Sequence, residues 1–335
     1  MKKKIDIKNI IFIVASAALY IGIYFAMSNN MMTRSWQSLV LKMCYNIVLA
    51  VSLNMIVGFL GDLSLGHAAF YAVGAYSGSF VAINLSNLPL ELRFIIGIIA
   101  GGIIAAVVGF LISSSILRLK GDYLAIVTLA FGELICALVK IIPGLGGTKG
   151  LTGIPNFSSK PKAFLFYFAI TVFIVIIINH IIDSRHGRTI TAVRDNAIAA
   201  ESIGINIKKY RVMTFVIAAF FAGIAGVMFA FFKTSTEPGD FTYNVSIEIL
   251  VMVVLGGMST FGSIIAACII TALPEVLRGA DQYRLLIYAI ALITMMLFNS
   301  NPKMRELREK LSVKKLINKK KVEKAPDMTA EEEDK

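Results

Sequence analysis

The sequence predicts an all-α, polytopic membrane protein of about ten transmembrane helices. Three observations carry this. Of 335 residues, 57% are hydrophobic and only 16% charged, whereas a soluble chain carries about a quarter charged. Apolar runs of about twenty residues recur, the length that crosses a bilayer as a helix. The positive charge is also confined to a few stretches. Four Lys precede Ile10, six Lys or Arg lie between Arg185 and Arg211, two are Arg118 and Lys120, and eleven follow Ser300, together 23 of 33. Placed so, the net charge of +12 follows the positive-inside rule and argues against a nucleic-acid partner. Both termini are expected in the cytoplasm.

Taken in order, residues 1–9 make a basic cytoplasmic start. Residues 10–27 form a first span, retained because no small-residue cleavage site follows. A polar turn over 28–37 lies outside, and residues 38–59 return as the second span. Gly61 and Asp62 join this almost directly to the third span, 63–85. There Gly74 and Gly78, one helical turn apart, let another backbone approach closely. The fourth span, 94–117, carries Gly97, Gly101, Ala105 and Gly109 on one stripe, which should face protein. Residues 122–142 are the fifth span, and 143–162, rich in Gly, Pro and Lys, form an outer loop too irregular for lipid. Residues 163–182 are the sixth span.

Residues 183–211 are the longest polar interval inside the hydrophobic region. A basic loop of this kind belongs in the cytoplasm, attracted to anionic lipid or laid on a soluble partner. Residues 192–203 read as one short helix of good helix formers, stopped by Gly204. The seventh span, 212–232, has small residues from Ala218 to Gly226, and 233–240 turn outside. The interval 241–277 is either one long helix or two spans meeting at residues 256–262. Only two spans bring the basic tail inside, so two are expected. Residues 283–298 close the bundle, and 301–335 form a charged cytoplasmic tail with a disordered acidic end.

Four separated stretches point to one family: 44–79 (CYNIVLAVSLNMIVGFLGDLSLGHAAFYAVGAYSGS), 117–134 (LRLKGDYLAIVTLAFGEL), 147–155 (GTKGLTGIP) and 255–278 (LGGMSTFGSIIAACIITALPEVLR). In this order they resemble the LivM-type permeases of branched-chain amino acid ABC importers, over roughly residues 44–302. The resemblance implies a bundle like the ten-helix importer permeases, in a bacterial cell membrane. It implies a LivH-type sister permease, two cytoplasmic ATPase subunits that use ATP and Mg, and an extracytoplasmic solute-binding protein. Urea and short-amide permeases resemble the same family. Ala199-Ala200-Glu201-Ser202-Ile203-Gly204 resembles the coupling motif of such permeases, a Glu-Ala-Ala triplet followed after three residues by Gly, with Ile198 where the motif prefers Glu. This implies that Arg194, Asp195, Ala199, Ala200, Glu201 and Gly204 couple the chain to its ATPase.

The residues themselves agree on what the chain lacks. There is no Gly-x-x-x-x-Gly-Lys-Ser/Thr loop, so no cofactor is expected on this chain and ATP chemistry must come from a partner. Residues 144–149 only superficially resemble such a loop. Cys44, Cys136 and Cys268 stand singly, without metal-ligand spacing, and no residue order suggests hydrolysis, so the chain reads as a transport subunit and not an enzyme. Candidate path or helix-break residues are Gly61, Asp62, Ser64, Gly66, His67, Thr128, Glu133, Glu248, Gly256 and Gly257. Asp62 or Ser64 can cap the following helix. His67 either lines a path or packs through a hydrogen bond. Gly256 and Gly257 frame a route or make a plain cytoplasmic turn. Glu133 and Glu248 lie within spans, where a lipid-facing charge costs roughly 2.5–3.5 kcal/mol, so both should face protein or water. From another class, an ion-coupled secondary carrier would use one of these two acids to bind a proton.

Overall fold

The computed structural model describes residues 18, 20–29, 32–116, 119, 121–157, 159–277, 289, 290 and 293. The expected basic start, Arg118, Lys120, most of the tenth span and the charged tail lie outside the described residues. The chain divides into two units, Met1–Gly279 and Ala280–Lys335. In the second, Ala289, Ile290 and Ile293 are helical and exposed.

The first unit is helical almost throughout. After α1 (residues 20–28) come α2 (Arg34–Asn54), which runs on as a π-helical turn (Met55–Leu60), then α3 (His67–Asn84), α4 (Leu90–Ile116), α5 (Asp122–Ile141) and α6 (Lys160–Asp183). Two short helices follow, α7 (Arg185–Asp195) and α8 (Ala197–Ser202), then α9 (Ile207–Lys233), α10 (Tyr243–Leu255) and α11 (Thr260–Val276). Among the described residues the sole β pairing is one isolated bridge, Leu151 with Thr236. Six helical segments are long and apolar enough to cross a membrane: Arg34–Leu60, Leu90–Ser115, Asp122–Ile141, Lys160–Asp183, Ile207–Lys233 and Pro238–Leu255.

Several helices overrun the apolar runs that predict them, because polar residues at their ends are still helical. α6 begins at Lys160 and α9 at Ile207, so Lys208, Lys209 and Arg211 stand on the first turns of α9 and not in a loop. The interval 241–277, expected to hold two spans, is broken into α10 and α11 at Gly256–Ser259; of the two, Pro238–Leu255 is long and apolar enough to cross a membrane, and Thr260–Val276 is a shorter apolar helix.

The small-residue stripes decide the packing. α3, α4 and α9 lie against one another, with backbone approaching backbone at several glycines. A Cβ on Gly74 would run into the backbone of Gly223, and one on Gly226 into Tyr71 O. A Cβ on Gly78 would come within 2.5 Å of Gly97 O, and one on Gly101 within 2.8 Å of Gly74 O. Without water to drive association, such close backbone contact is what holds membrane helices together. Ala105, Ala218, Ala219, Ala222 and Ala225 are fully buried in the same seam. α3 is enclosed, with α5 and α10 also beside it.

The connections sort into two ends. At one, Leu151 and Thr236 exchange backbone hydrogen bonds of 2.9 Å, and Tyr76 donates to Thr236 O. Lys233 there pairs with Asp240 at 2.7 Å. At the other end the loop 61–66, the segment 184–206 and the turn 256–259 come together.

Candidate functional site

The basic segment is shaped by three caps. Ser184 Oγ accepts from Gly187 N at the start of α7, Asn196 Oδ1 from Ala199 N at the start of α8, and Asn206 Oδ1 from Lys209 N at the start of α9. Asn196 has extended backbone (φ −156°, ψ 99°), so the single helix expected over 192–203 is two helices with a break. The capping side chain competes for the backbone N–H groups that a continuous helix would use. Gly204 ends α8 with φ +86°, a conformation opposed to side chains, and Ile205 N reaches back to Ala200 O at 3.1 Å.

Packing orients the two short helices. Ile190, Val193 and Ala200 join Ile56, Leu60, Leu124, Phe215 and Ala218 in one buried cluster. Opposite, Ile198 is 82% exposed and Ile203 76%, and Ala199 and Glu201 are exposed with them. Ala200 faces the chain's own core, so of the motif residues it belongs to the support, not to the presented surface.

Two arginines tie this segment to the end of α2. Arg194 Nη1 donates to Gly58 O at 2.8 Å, while its Nε and Nη2 hold Asp195 Oδ1 at 3.0 and 2.8 Å. Its Cγ lies over Gly61, 2.6 Å from where a Cβ would stand, and Gly61 has φ +81°. Arg211 Nη2 pairs with Asp62 Oδ1 at 2.7 Å, with 15% and 7% of the two side chains exposed. The expected cap on α3 by Asp62 or Ser64 is therefore not made. The residue before α3 is Gly66, with no side-chain cap, and the Asp62 carboxylate is committed to a cation 149 positions away. Arg211 escaped the sequence reading because nothing local marks it.

Beyond Asp62 the junction is polar and buried. Leu65 N donates to Thr128 Oγ1, which itself donates to Ala125 O. Gly66 lies so close to Thr128 O that a Cβ would collide with it. His67 is fully buried. Ser52 Oγ lies 2.9 Å from His67 Nε2 and 2.9 Å from Leu49 O. His67 Nδ1 and Ser64 Oγ find no protein partner among the described residues.

The other candidates separate. Glu133 Oε1, on α5, accepts from Tyr243 N at 3.1 Å, placing a carboxylate at the positive end of α10. Glu248 lies on an exposed face of α10. Gly256 and Gly257 belong to a turn more constrained than a plain one. Met258 takes φ +54°, Ser259 Oγ accepts from Gly262 N, and Met258 O sits 2.8 Å from the position of a Cβ on Gly58. The structure thus gathers Gly61, Asp62, Arg194 and the 256–259 turn around Gly58, leaving Glu133 on α5 at the start of α10.

Comparison with known proteins identifies a family for the chain. A family model described as branched-chain amino acid transport system / permease component matches residues 35–298. The high-affinity branched-chain amino acid transport system permease protein LivM of Escherichia coli is 31% identical over 344 residues, covering 92% of this chain and 78% of that protein. LivH of Salmonella typhimurium is 24% identical, covering 70% and 81%. The ribose import permease RbsC of Haemophilus influenzae is 27% identical, covering 75% and 80%. No solved structure matches the chain.

Proposed function

The chain belongs to the family of branched-chain amino acid transport permeases, and from that premise we propose that it carries leucine, isoleucine, valine or related amino acids inward as one half of an ATP-driven permease pair. The sister half is a LivH-type chain. Two ATPase subunits bind below it and a solute-binding protein above, in a bacterial cell membrane. ATP and Mg belong to the ATPases.

The observation that carries this reading is α8. It is a short helix held on a buried base, with Ile198 and Ile203 turned outward at 82% and 76% exposure. Apolar knobs of that kind on a polar segment suit insertion into a groove of a soluble partner. The end that bears α8 is read as cytoplasmic because it carries Arg185, Arg188, Arg194, Lys208, Lys209 and Arg211. On ATP binding the ATPases close and carry α8 with them, and the helices tied to it reopen the path on the other side.

The test is uptake of radiolabelled leucine by vesicles holding the chain with and without its ATPases. Uptake only with ATPases and ATP supports the importer. Uptake by the chain alone on an ion gradient would establish a secondary carrier. Urea or a short amide moving in place of leucine would keep the importer and change its solute.

A further inference from the structure

We infer that the π-helical turn ending α2 receives the motion of the basic segment, and that Arg194 and Arg211 are the positioning residues that deliver it. The inference rests on the importer reading above and assigns the route by which α8 reaches the transmembrane helices.

Two parts of the chain meet at one carbonyl-bearing turn. On one side, Arg194 bonds Gly58 O and lays its stem across Gly61. On the other, the α10–α11 turn presses Met258 O toward Gly58, where a Cβ would have only 2.8 Å. Four residues on, Asp62 is held by Arg211 at the start of α9. A displacement of α7 and α8 therefore pulls on residues 58–62, and through them on α10, α11 and the loop into α3.

The turn itself is suited to two arrangements. π-turns occur as single-turn insertions and cluster at functional sites. The Gly58 carbonyl is here taken by a guanidinium. The residue before the turn, Asn54, is fully buried, yet neither its amide nitrogen nor its oxygen bonds to protein among the described residues. A buried polar group without a partner calls for an explanation, and a place in a moving turn supplies one. The Asp62–Arg211 pair points the same way. Buried ion pairs add little net stability over a well-packed apolar pair, and their best-attested use is to fix a register or a switch.

The experiment uses the whole complex in proteoliposomes: this chain, its sister permease, ATPases and binding protein. Solute uptake and ATP hydrolysis are measured on the same vesicles. For Arg194→Gln and Arg211→Gln the solute moved per ATP hydrolysed should fall about tenfold, within the usual range of coupling between two sites, with the complex recovered in normal yield. Reversing the pair, Asp62→Arg with Arg211→Asp, should restore most of the ratio lost in Arg211→Gln. Should Arg211→Gln fail to assemble, Arg194→Gln decides alone, since its side chain is 39% exposed and leaves no buried charge behind. An unchanged ratio, or uptake and hydrolysis falling in proportion, overturns the inference. Wild-type uptake without ATP would instead overturn the importer reading, and with it this one.

Discussion

Substituting Gly223 tests whether the seam of α3, α4 and α9 is held by backbone contact. A Cβ there would stand 2.6 Å from Ala105 Cβ and 2.7 Å from Gly101 O, while carbon contacts settle near ~3.5–4.0 Å. α9 must then withdraw from α4 by about 1 Å. Overpacking of this kind costs about 1–3 kcal/mol, and alanine regains about 1 kcal/mol of helix propensity over glycine. Gly223→Ala should therefore destabilise by about 1 kcal/mol on these figures. Gly223→Val adds two methyl groups without the full propensity gain, and should cost more than about 2 kcal/mol. Because Gly74 packs directly on Gly223, Gly74→Ala and Gly223→Ala should combine non-additively, since both displace α9. Thermal unfolding read by a thiol-reactive dye suits this chain, since Cys44 and Cys136 are buried until the bundle opens. Gly144→Ala is the control, with nothing within 4 Å of its Cβ. A Gly223→Val protein that melts with the wild type would refute the account of the seam.

Other outcomes follow from the site. Ile198→Asp should leave the chain inserted at normal yield and abolish copurification of the ATPase, whereas Ala200→Arg, which forces a charge into the cluster around Phe215, should lower the yield of the chain itself. Gly204→Leu should stop uptake while the chain still inserts, because leucine is strained at φ +86°; normal uptake would show that this bend is dispensable. Glu133→Gln keeps an acceptor for Tyr243 N and should preserve complex yield, while Glu133→Leu should reduce it; if both assemble and both slow uptake, Glu133 acts on the solute. In a cysteine-free background, an impermeant reagent applied to intact cells should label a cysteine at Lys149 and spare one at Glu201, and the reverse would invert the topology.

The seam was legible in the sequence because periodicity is local information. Gly97, Gly101, Ala105 and Gly109 recur every four residues, and that spacing alone says they share a face. The stop at Gly204 was legible for a similar reason. The break at Asn196 was not: its neighbours are good helix formers, and only the capping oxygen of Asn196 and the burial of Ala200 turn one helix into two. The π-turn and the Asp62–Arg211 pair were less legible still, since both depend on segments that meet only in the folded chain. Sequence alone placed Gly61 and Asp62 at a tight junction but gave no means of finding their partners Arg194 and Arg211. Glu133 was expected to face protein or water, and the backbone of α10 that its carboxylate meets could not be named from the sequence.

The enclosure of α3 bears on how the protein is made. α3 has 18 residues but is not among the helices apolar enough to cross a membrane unaided. Its Gly, Ser, Tyr and His content, which suits a helix pressed between neighbours, makes it a weak insertion signal when it leaves the ribosome. α4 follows at once with a mean hydropathy of 2.8 and can hold it as a hairpin. The backbone that meets Gly74 comes from α9, which begins at Ile207, well over a hundred residues later. Through that interval of synthesis α3 waits with the side that meets α9 uncovered, so a chain truncated before α9 should be the form that quality-control proteases remove.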